Sequence, residues 1–265
     1  MVLNNGDKPM PQPAREAPIF LDVGSGPKAR RIAVLARPGE GPPVVWLGGF
    51  RSDMRATKAE ALDGWARETG RALVRFDYTG HGESSGDFAD ATISTWLEDA
   101  RAVITACAPH RPILVGSSMG GWIACLAARS GLALSGLVLI APALDFTEDL
   151  MWARFTPEIR ETIERDGSWA RPSEYSDVPV PITRALIEDG RRHRLLGHPI
   201  DPGCPVHILQ GMADPDVPWS HALRLVERLP TAGTVLTLVA DGDHRLSRPQ
   251  DLARLLAAVA GISAD

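Results

Sequence analysis

No apolar run in these 265 residues approaches the ~20 residues a helix needs to cross a bilayer. The N-terminal segment has no charged-then-apolar leader pattern. Cysteine is scarce: Cys107, Cys125 and Cys204 are far apart, odd in number and form no C-x-x-C pair. That argues against a disulfide framework and fits a reducing compartment. Cys107 and Cys125 sit in apolar helical stretches and read as small buried hydrophobes. Lysine is almost missing, since all but Lys8, Lys28 and Lys58 of the 28 basic residues are arginine; this reads as genome composition. With a formal net charge of -5 and no basic block, nucleic acid is not an expected partner. His, Cys and Asp show no metal-ligand spacing, and nothing repeats at a fixed period. These absences predict a cytoplasmic protein without stable membrane insertion and without a metal site.

What is present is an ordinary globular composition, 44% hydrophobic and 23% charged. Residues 1–17, rich in proline and polar groups, read as a loose arm. Residues 18–265 read as a single α/β domain. Strand candidates are Ile19–Val23, Arg31–Ala36, Val44–Leu47, Ala72–Asp77, Ile113–Val115, Gly136–Ile140, Val206–Gln210 and Thr234–Val239. Several are short continuous apolar runs, as parallel strands covered on both faces should be. Helix candidates alternate with them, near Thr57–Thr69, Met119–Ala128, Ser220–Arg228 and Gln250–Val259. The clearest is Thr92–Cys107, where Ile93, Trp96, Ala100, Val103 and Cys107 share one face behind Thr92 as N-cap. The alternation predicts a doubly wound, mostly parallel eight-stranded sheet. One segment interrupts it. Residues 145–203 hold no good strand and carry Met151, Phe155, Ile159 and Ile163 at four-residue steps. They predict a small helical lid inserted before the seventh strand, with Trp152 and Phe155 as candidate substrate contacts.

The chemistry gathers around Gly116-Ser117-Ser118-Met119-Gly120, a G-x-S-x-G pattern between an apolar strand and a helix. A serine on such a turn is a nucleophile elbow, and the flanking glycines allow close backbone approach. A serine hydroxyl needs a base, and the base needs an orienting acid. Past Val206–Gln210 comes Gly211-Met212-Ala213-Asp214-Pro215-Asp216. Asp214 is the candidate acid, with Asp216 as the alternative or as a turn residue. Past Thr234–Val239 comes Asp241-Gly242-Asp243-His244, which makes His244 the candidate base. His221, the other histidine beyond Asp214, falls inside a helix and reads as a surface residue. An acyl-transfer site also needs donors for an oxyanion. The backbone N–H groups of Met119 and of Phe50, in Gly48-Gly49-Phe50 after the third strand, are the candidates. Arg51 and Asp53 read as local pairing residues of that loop, with substrate contact as the alternative. Phe76-Asp77-Tyr78-Thr79-Gly80-His81-Gly82-Glu83-Ser84 reads as a tight turn rather than a dinucleotide loop.

With these residues in hand, the chain resembles the α/β-hydrolases. The likeness is to the branch holding a mitochondrial palmitoyl-protein thioesterase and acyl-glucuronide esterase with its bacterial relatives. It rests on Thr57-Lys58-Ala59, Arg75-Phe76-Asp77-Tyr78-Thr79-Gly80, Val115-Gly116-Ser117-Ser118-Met119-Gly120-Gly121-Trp122, Cys204-Pro205, Gly211-Met212-Ala213-Asp214, Val217-Pro218-Trp219 and Asp243-His244-Arg245. The lid keeps some likeness in Trp169-Ala170-Arg171-Pro172-Ser173-Glu174-Tyr175-Ser176. Gly48-Gly49-Phe50 matches only loosely. The resemblance implies Ser118 as nucleophile, Asp214 as acid and His244 as base.

The expected activity is hydrolysis of a carboxylic ester or thioester in a small-molecule or acylated substrate, through an acyl-enzyme and with no cofactor. A carbon–carbon bond hydrolase, a perhydrolase or an acyltransferase would share the triad. A non-catalytic small-molecule binding protein is the reading from another class, and the complete set Ser118, Asp214 and His244 argues against it. The sequence assigns no oligomeric state.

Overall fold

In the computed structural model of the chain, residues 16–172 and 179–262 are described. The arm expected over residues 1–17 lies outside them except for its last two residues. Residues 173–176 of the lid resemblance lie outside them as well.

Eight strands form one sheet. In chain order they are β1 (Ile19–Val23), β2 (Arg30–Arg37), β3 (Glu40–Leu47), β4 (Arg71–Phe76), β5 (Ile113–Ser117), β6 (Gly136–Ile140), β9 (Val206–Gly211) and β10 (Thr234–Val239). Their spatial order is β1-β2-β4-β3-β5-β6-β9-β10, and β2 alone runs against the rest. β3 starts earlier than its apolar run because Pro42 and Pro43 fall where the register slips between Glu40 and Val44, so the ladder has no need of their missing N–H groups.

Helices cover both faces. Successive side chains of a strand point to opposite sides, and the central strands divide accordingly. Leu114, Leu137 and Leu139 join one core with Trp96 and Val103 of α2 (Ile93–Cys107) and with Trp122 of α3 (Met119–Arg129). Ile113, Val115, Val138 and Ile140 join the other, with Leu62 of α1 (Thr57–Thr69) and Leu255 of α7 (Pro249–Ile262). Every residue of β5 and β6 is buried, which explains the apolar runs Ile113–Val115 and Leu137–Ile140 within them. Thr92 caps α2 by accepting the Thr95 N–H. Cys125 is wholly buried, and burial pushes its thiol up to about 12.

The insertion before β9 differs from the expected helical piece in two ways. It contains a short antiparallel ribbon, β7 (Ser168–Arg171) with β8 (Val180–Thr183), paired through Trp169 and Ile182. Each strand is four residues long, and Pro181 interrupts β8, so the sequence carries little strand signal. The four-residue stripe is also not one helix. A π-helical turn spans Thr147–Met151 and a 3-10 turn Trp152–Arg154. Pro157 holds Thr156 extended, and α4 (Pro157–Asp166) starts afresh behind Thr156 as its cap. Only Ile159 and Ile163 therefore share a helix.

The insertion is fastened to the rest. The wholly buried Asp145 carboxylate accepts the N–H groups of Leu195 (2.8 Å) and Leu196 (2.9 Å), closing the segment's two ends on each other. α5 (Arg184–Arg192) supplies Asp189, which accepts both the N–H and the hydroxyl of Ser94 at the start of α2.

Candidate active site

β5 delivers Ser118 at the carboxyl edge of the sheet. Its φ of 54° and ψ of -116° are costly for a residue with a Cβ, about 1–3 kcal/mol, and persist only where the surroundings impose them. Here they do. The Ser118 N–H donates to the Ile140 carbonyl (2.8 Å), while the Ser118 carbonyl accepts from Gly121 (3.0 Å) and Ala143 (3.1 Å). The elbow glycines are spatial necessities: a Cβ on Gly120 would stand 2.0 Å from the Leu47 carbonyl oxygen, and one on Gly116 2.4 Å from that of Gly120.

Two further strand ends bring the partners. His244, beyond β10, sets Nε2 at 3.1 Å from Ser118 Oγ and Nδ1 at 2.7 Å from Asp214 Oδ2. A carboxylate only accepts, so the proton lies on Nδ1 and Nε2 is free to take the serine proton. Asp214, beyond β9, has no exposed side-chain surface, whereas 24% of the His244 side chain is exposed. Its Oδ1 accepts the N–H groups of Asp216 and Val217, both at 2.9 Å. Asp216, the alternative acid, thus supplies a backbone donor to Asp214, which suits a turn residue. The acid and base loops lie so close that a Cβ on Gly211 would fall 2.3 Å from the Gly242 carbonyl oxygen.

The loop after β3 runs beside Ser118. A Cβ on Gly49 would lie 3.5 Å from the Ser118 Cβ. The Phe50 ring meets Phe88, Trp96 and Phe146 edge-on, with centroids 4.9, 5.9 and 5.6 Å away. The Met119 N–H opens α3, whose first amides have no acceptor within the helix. Arg51 lays its guanidinium over the Phe88 ring, and Asp53 accepts the Arg55 N–H, so both have local partners.

Trp152 and Phe155 lie in the lid. Phe155 stacks edge-on between Trp152 and Trp169, at 6.4 and 5.4 Å, and Arg191 covers the Trp152 ring at 4.9 Å. The lid reaches the acid loop through Arg154 Nη1, which donates to the Asp216 carbonyl at 3.1 Å.

Three buried or partly buried residues near the site were given no role in the reading of the sequence. Gln210 is fully buried at the end of β9 and turns its Nε2 toward the carbonyls of Gly211 and Val217 and the carboxylate of Asp214. A polar residue among the buried positions of β9 is the trace it leaves. Lys58 donates to the Arg245 carbonyl next to His244, and burial lowers its pKa to about 8. His221 is buried rather than a surface residue, and its Nε2 meets the Leu144 carbonyl at 2.8 Å. Its helix, α6 (Trp219–Val226), turns that face inward.

Asp214, Asp216 and His244 bring three ligand-type atoms within 4.8 Å, the one such grouping among the described residues. Both oxygens of Asp214 already face N–H donors, and the His244 Nδ1 proton points at one of them. That arrangement suits proton transfer better than ligation.

The sequence pattern of the Alpha/beta hydrolase family matches residues 44–255. The bovine mitochondrial palmitoyl-protein thioesterase ABHD10 is 33% identical over 234 residues, covering 88% of this chain and 76% of that protein. The crystal structure of a putative hydrolase from Agrobacterium vitis S4 superposes with a TM-score of 0.90 at 51% identity, over 94% of this chain and 100% of that one. Mouse alpha/beta hydrolase domain-containing protein 10 superposes with a TM-score of 0.81 at 29% identity, over 92% and 98%. The curated relatives are mitochondrial proteins, which overturns the cytoplasmic placement expected from the sequence. No helix among the described residues is long and apolar enough to cross a membrane.

Proposed function

The chain belongs to the alpha/beta hydrolase family, and on that premise we propose that it is a serine hydrolase that cleaves carboxylic esters or thioesters through an acyl-enzyme on Ser118. The observation that carries this reading is the continuous relay from Ser118 Oγ through His244 to Asp214.

His244 Nε2 takes the hydroxyl proton as Oγ attacks the acyl carbonyl. The imidazolium so formed lies against the Asp214 carboxylate. The N–H groups of Met119 and Phe50 face the developing oxyanion, and each such donor contributes about 2.7–4 kcal/mol to the transition state. The tetrahedral adduct collapses, the C–O or C–S bond breaks, and the His244 imidazolium gives its proton to the departing oxygen or sulfur. Water then gives its proton to His244, attacks the acyl-enzyme and releases the acid, and Ser118 Oγ recovers its proton.

The relatives named as palmitoyl-protein thioesterases suggest an acyl thioester. The aromatic lid residues Trp152 and Phe155 supply apolar surface suited to an acyl chain. The domain reading goes with this: residues 18–265 form the catalytic unit, and residues 145–203 act as its lid.

A fluorophosphonate probe tests the assignment. It should label the native chain and leave Ser118→Ala unlabelled; undiminished labelling of that variant would refute the nucleophile.

A further inference from the structure

The segment Phe76–Ser84, which the proposed reaction leaves unused, makes the contacts that hold the oxyanion loop. Its backbone closes on itself: the His81 N–H donates to the Tyr78 carbonyl (2.9 Å), and the Ser84 N–H to the His81 carbonyl (3.0 Å). Ser84 Oγ donates to the Asp77 carbonyl (2.6 Å) and accepts the Ala33 N–H (2.8 Å), so the turn is pinned to β2. Asp77 then reaches across to the loop after β3 and accepts the Met54 N–H on Oδ1 (2.6 Å).

His81 makes the contact nearest the proposed donor. Its ring is 5% exposed and is walled by Tyr78, Phe88 and Trp96, with centroids 5.9, 5.2 and 5.5 Å away. Nε2 lies 3.1 Å from the Arg51 backbone nitrogen, thirty residues earlier. Nδ1 lies 3.1 Å from the Thr79 carbonyl. An amide N–H only donates and a carbonyl only accepts, so the ring is the neutral tautomer with its proton on Nδ1.

Arg51 has a φ of 64°, a left-handed conformation that disfavours any residue with a Cβ. The two peptide planes flanking Phe50 are each fixed by one bond. The Gly49 carbonyl accepts the Ser52 N–H at 3.0 Å, and a trans peptide turns the Phe50 N–H to the opposite side. Among the described residues, the partner of the Arg51 N–H in the Phe50–Arg51 plane is His81 Nε2.

We propose that His81 is a positioning residue for the oxyanion loop: by accepting the Arg51 N–H, it holds the Phe50–Arg51 peptide, and through it the adjoining Gly49–Ser52 turn that carries the Phe50 N–H, in the orientation that presents this N–H to the reacting carbonyl. The inference rests on the assignment of Phe50 as an oxyanion donor. Burial lowers the His81 pKa to about 4, so Nε2 keeps its lone pair at neutral pH.

The test compares His81→Leu and His81→Gln with the native chain on a p-nitrophenyl ester, with phenylboronic acid as a tetrahedral-adduct probe. His81→Leu should lower kcat roughly ten- to a hundredfold, less than outright loss of a donor, with KM within about twofold. Phenylboronic acid should weaken in proportion. His81→Gln, whose Oε1 can accept the Arg51 N–H, should recover most of the loss. Native kcat and boronate affinity in His81→Leu would overturn the proposal, as would a Gln variant no better than Leu. A measurement on the native chain does not depend on how the variants fold. Imidazole 15N NMR at neutral pH should find Nδ1 protonated and Nε2 bare, and a proton on Nε2 would overturn the proposal. A native chain that neither hydrolyses the ester nor labels at Ser118 would instead overturn the hydrolase reading, and this inference with it.

Discussion

Gln210 donates through Nε2 to Oδ2 of Asp214 at 3.2 Å, the same carboxylate oxygen that accepts the His244 Nδ1–H at 2.7 Å. Three acceptors surround that nitrogen, so the amide can present only its NH2 there. Gln210→Leu removes a donor to a charged group and leaves two buried carbonyls without that partner. Each effect is worth about 1–3 kcal/mol. The expected result is a kcat roughly ten- to a hundredfold lower at nearly constant KM, because the bond orients the acid rather than the substrate. Gln210→Glu should be worse still, since it sets a carboxylate against three acceptors. Steady-state kinetics on any hydrolysed ester checks both, and a native kcat in Gln210→Leu would refute the role.

Lys58 gives a stability prediction with a definite sign. Burial lowers its pKa from 10.5 to about 8. Between those values the unfolded chain binds the proton more readily than the folded one. Stability should therefore rise with pH through that window and level off above it. Urea unfolding of the native chain and of Lys58→Met at pH 8 and pH 10.5 isolates the effect. The variant should lack the increment, and parallel pH curves would refute the assignment.

The lid makes a chain-length prediction. If Trp152 and Phe155 hold an acyl chain, each methylene that loses apolar contact is worth about 0.8 kcal/mol, or about fourfold in kcat/KM. In Trp152→Ala and Phe155→Ala, the ratio of long-chain to acetyl turnover should fall several-fold across oxygen and sulfur esters. An unchanged ratio in both variants would place the chain elsewhere.

Much of the scaffold was legible in the sequence because its signals are local. β1, β6 and β10 match their apolar runs end to end, and α1 spans Thr57–Thr69 as read. Ser118, Asp214 and His244 each follow a strand, and chain order alone suggested their meeting. What stayed hidden depends on contacts across the fold. His81 and Arg51 are thirty residues apart, and no periodicity relates them. His221 looks like any polar residue on a short helix until the Leu144 carbonyl is found beneath it. The ribbon of β7 and β8 is too short for alternation to register, and Pro157 divides a stripe that spacing alone makes continuous.

The three members of the relay do not stand on equally secure ground. Ser118 follows β5, which has strands on both sides, whereas His244 follows β10, the last strand of the sheet, bonded only to β9 in that order. An edge strand is held by one ladder, so fewer backbone hydrogen bonds oppose its local opening than oppose that of a central strand. Fraying there would carry His244 away from a serine that has not moved. On the proposed roles, a loosened sheet margin would then silence the site while the centre of the molecule stayed intact.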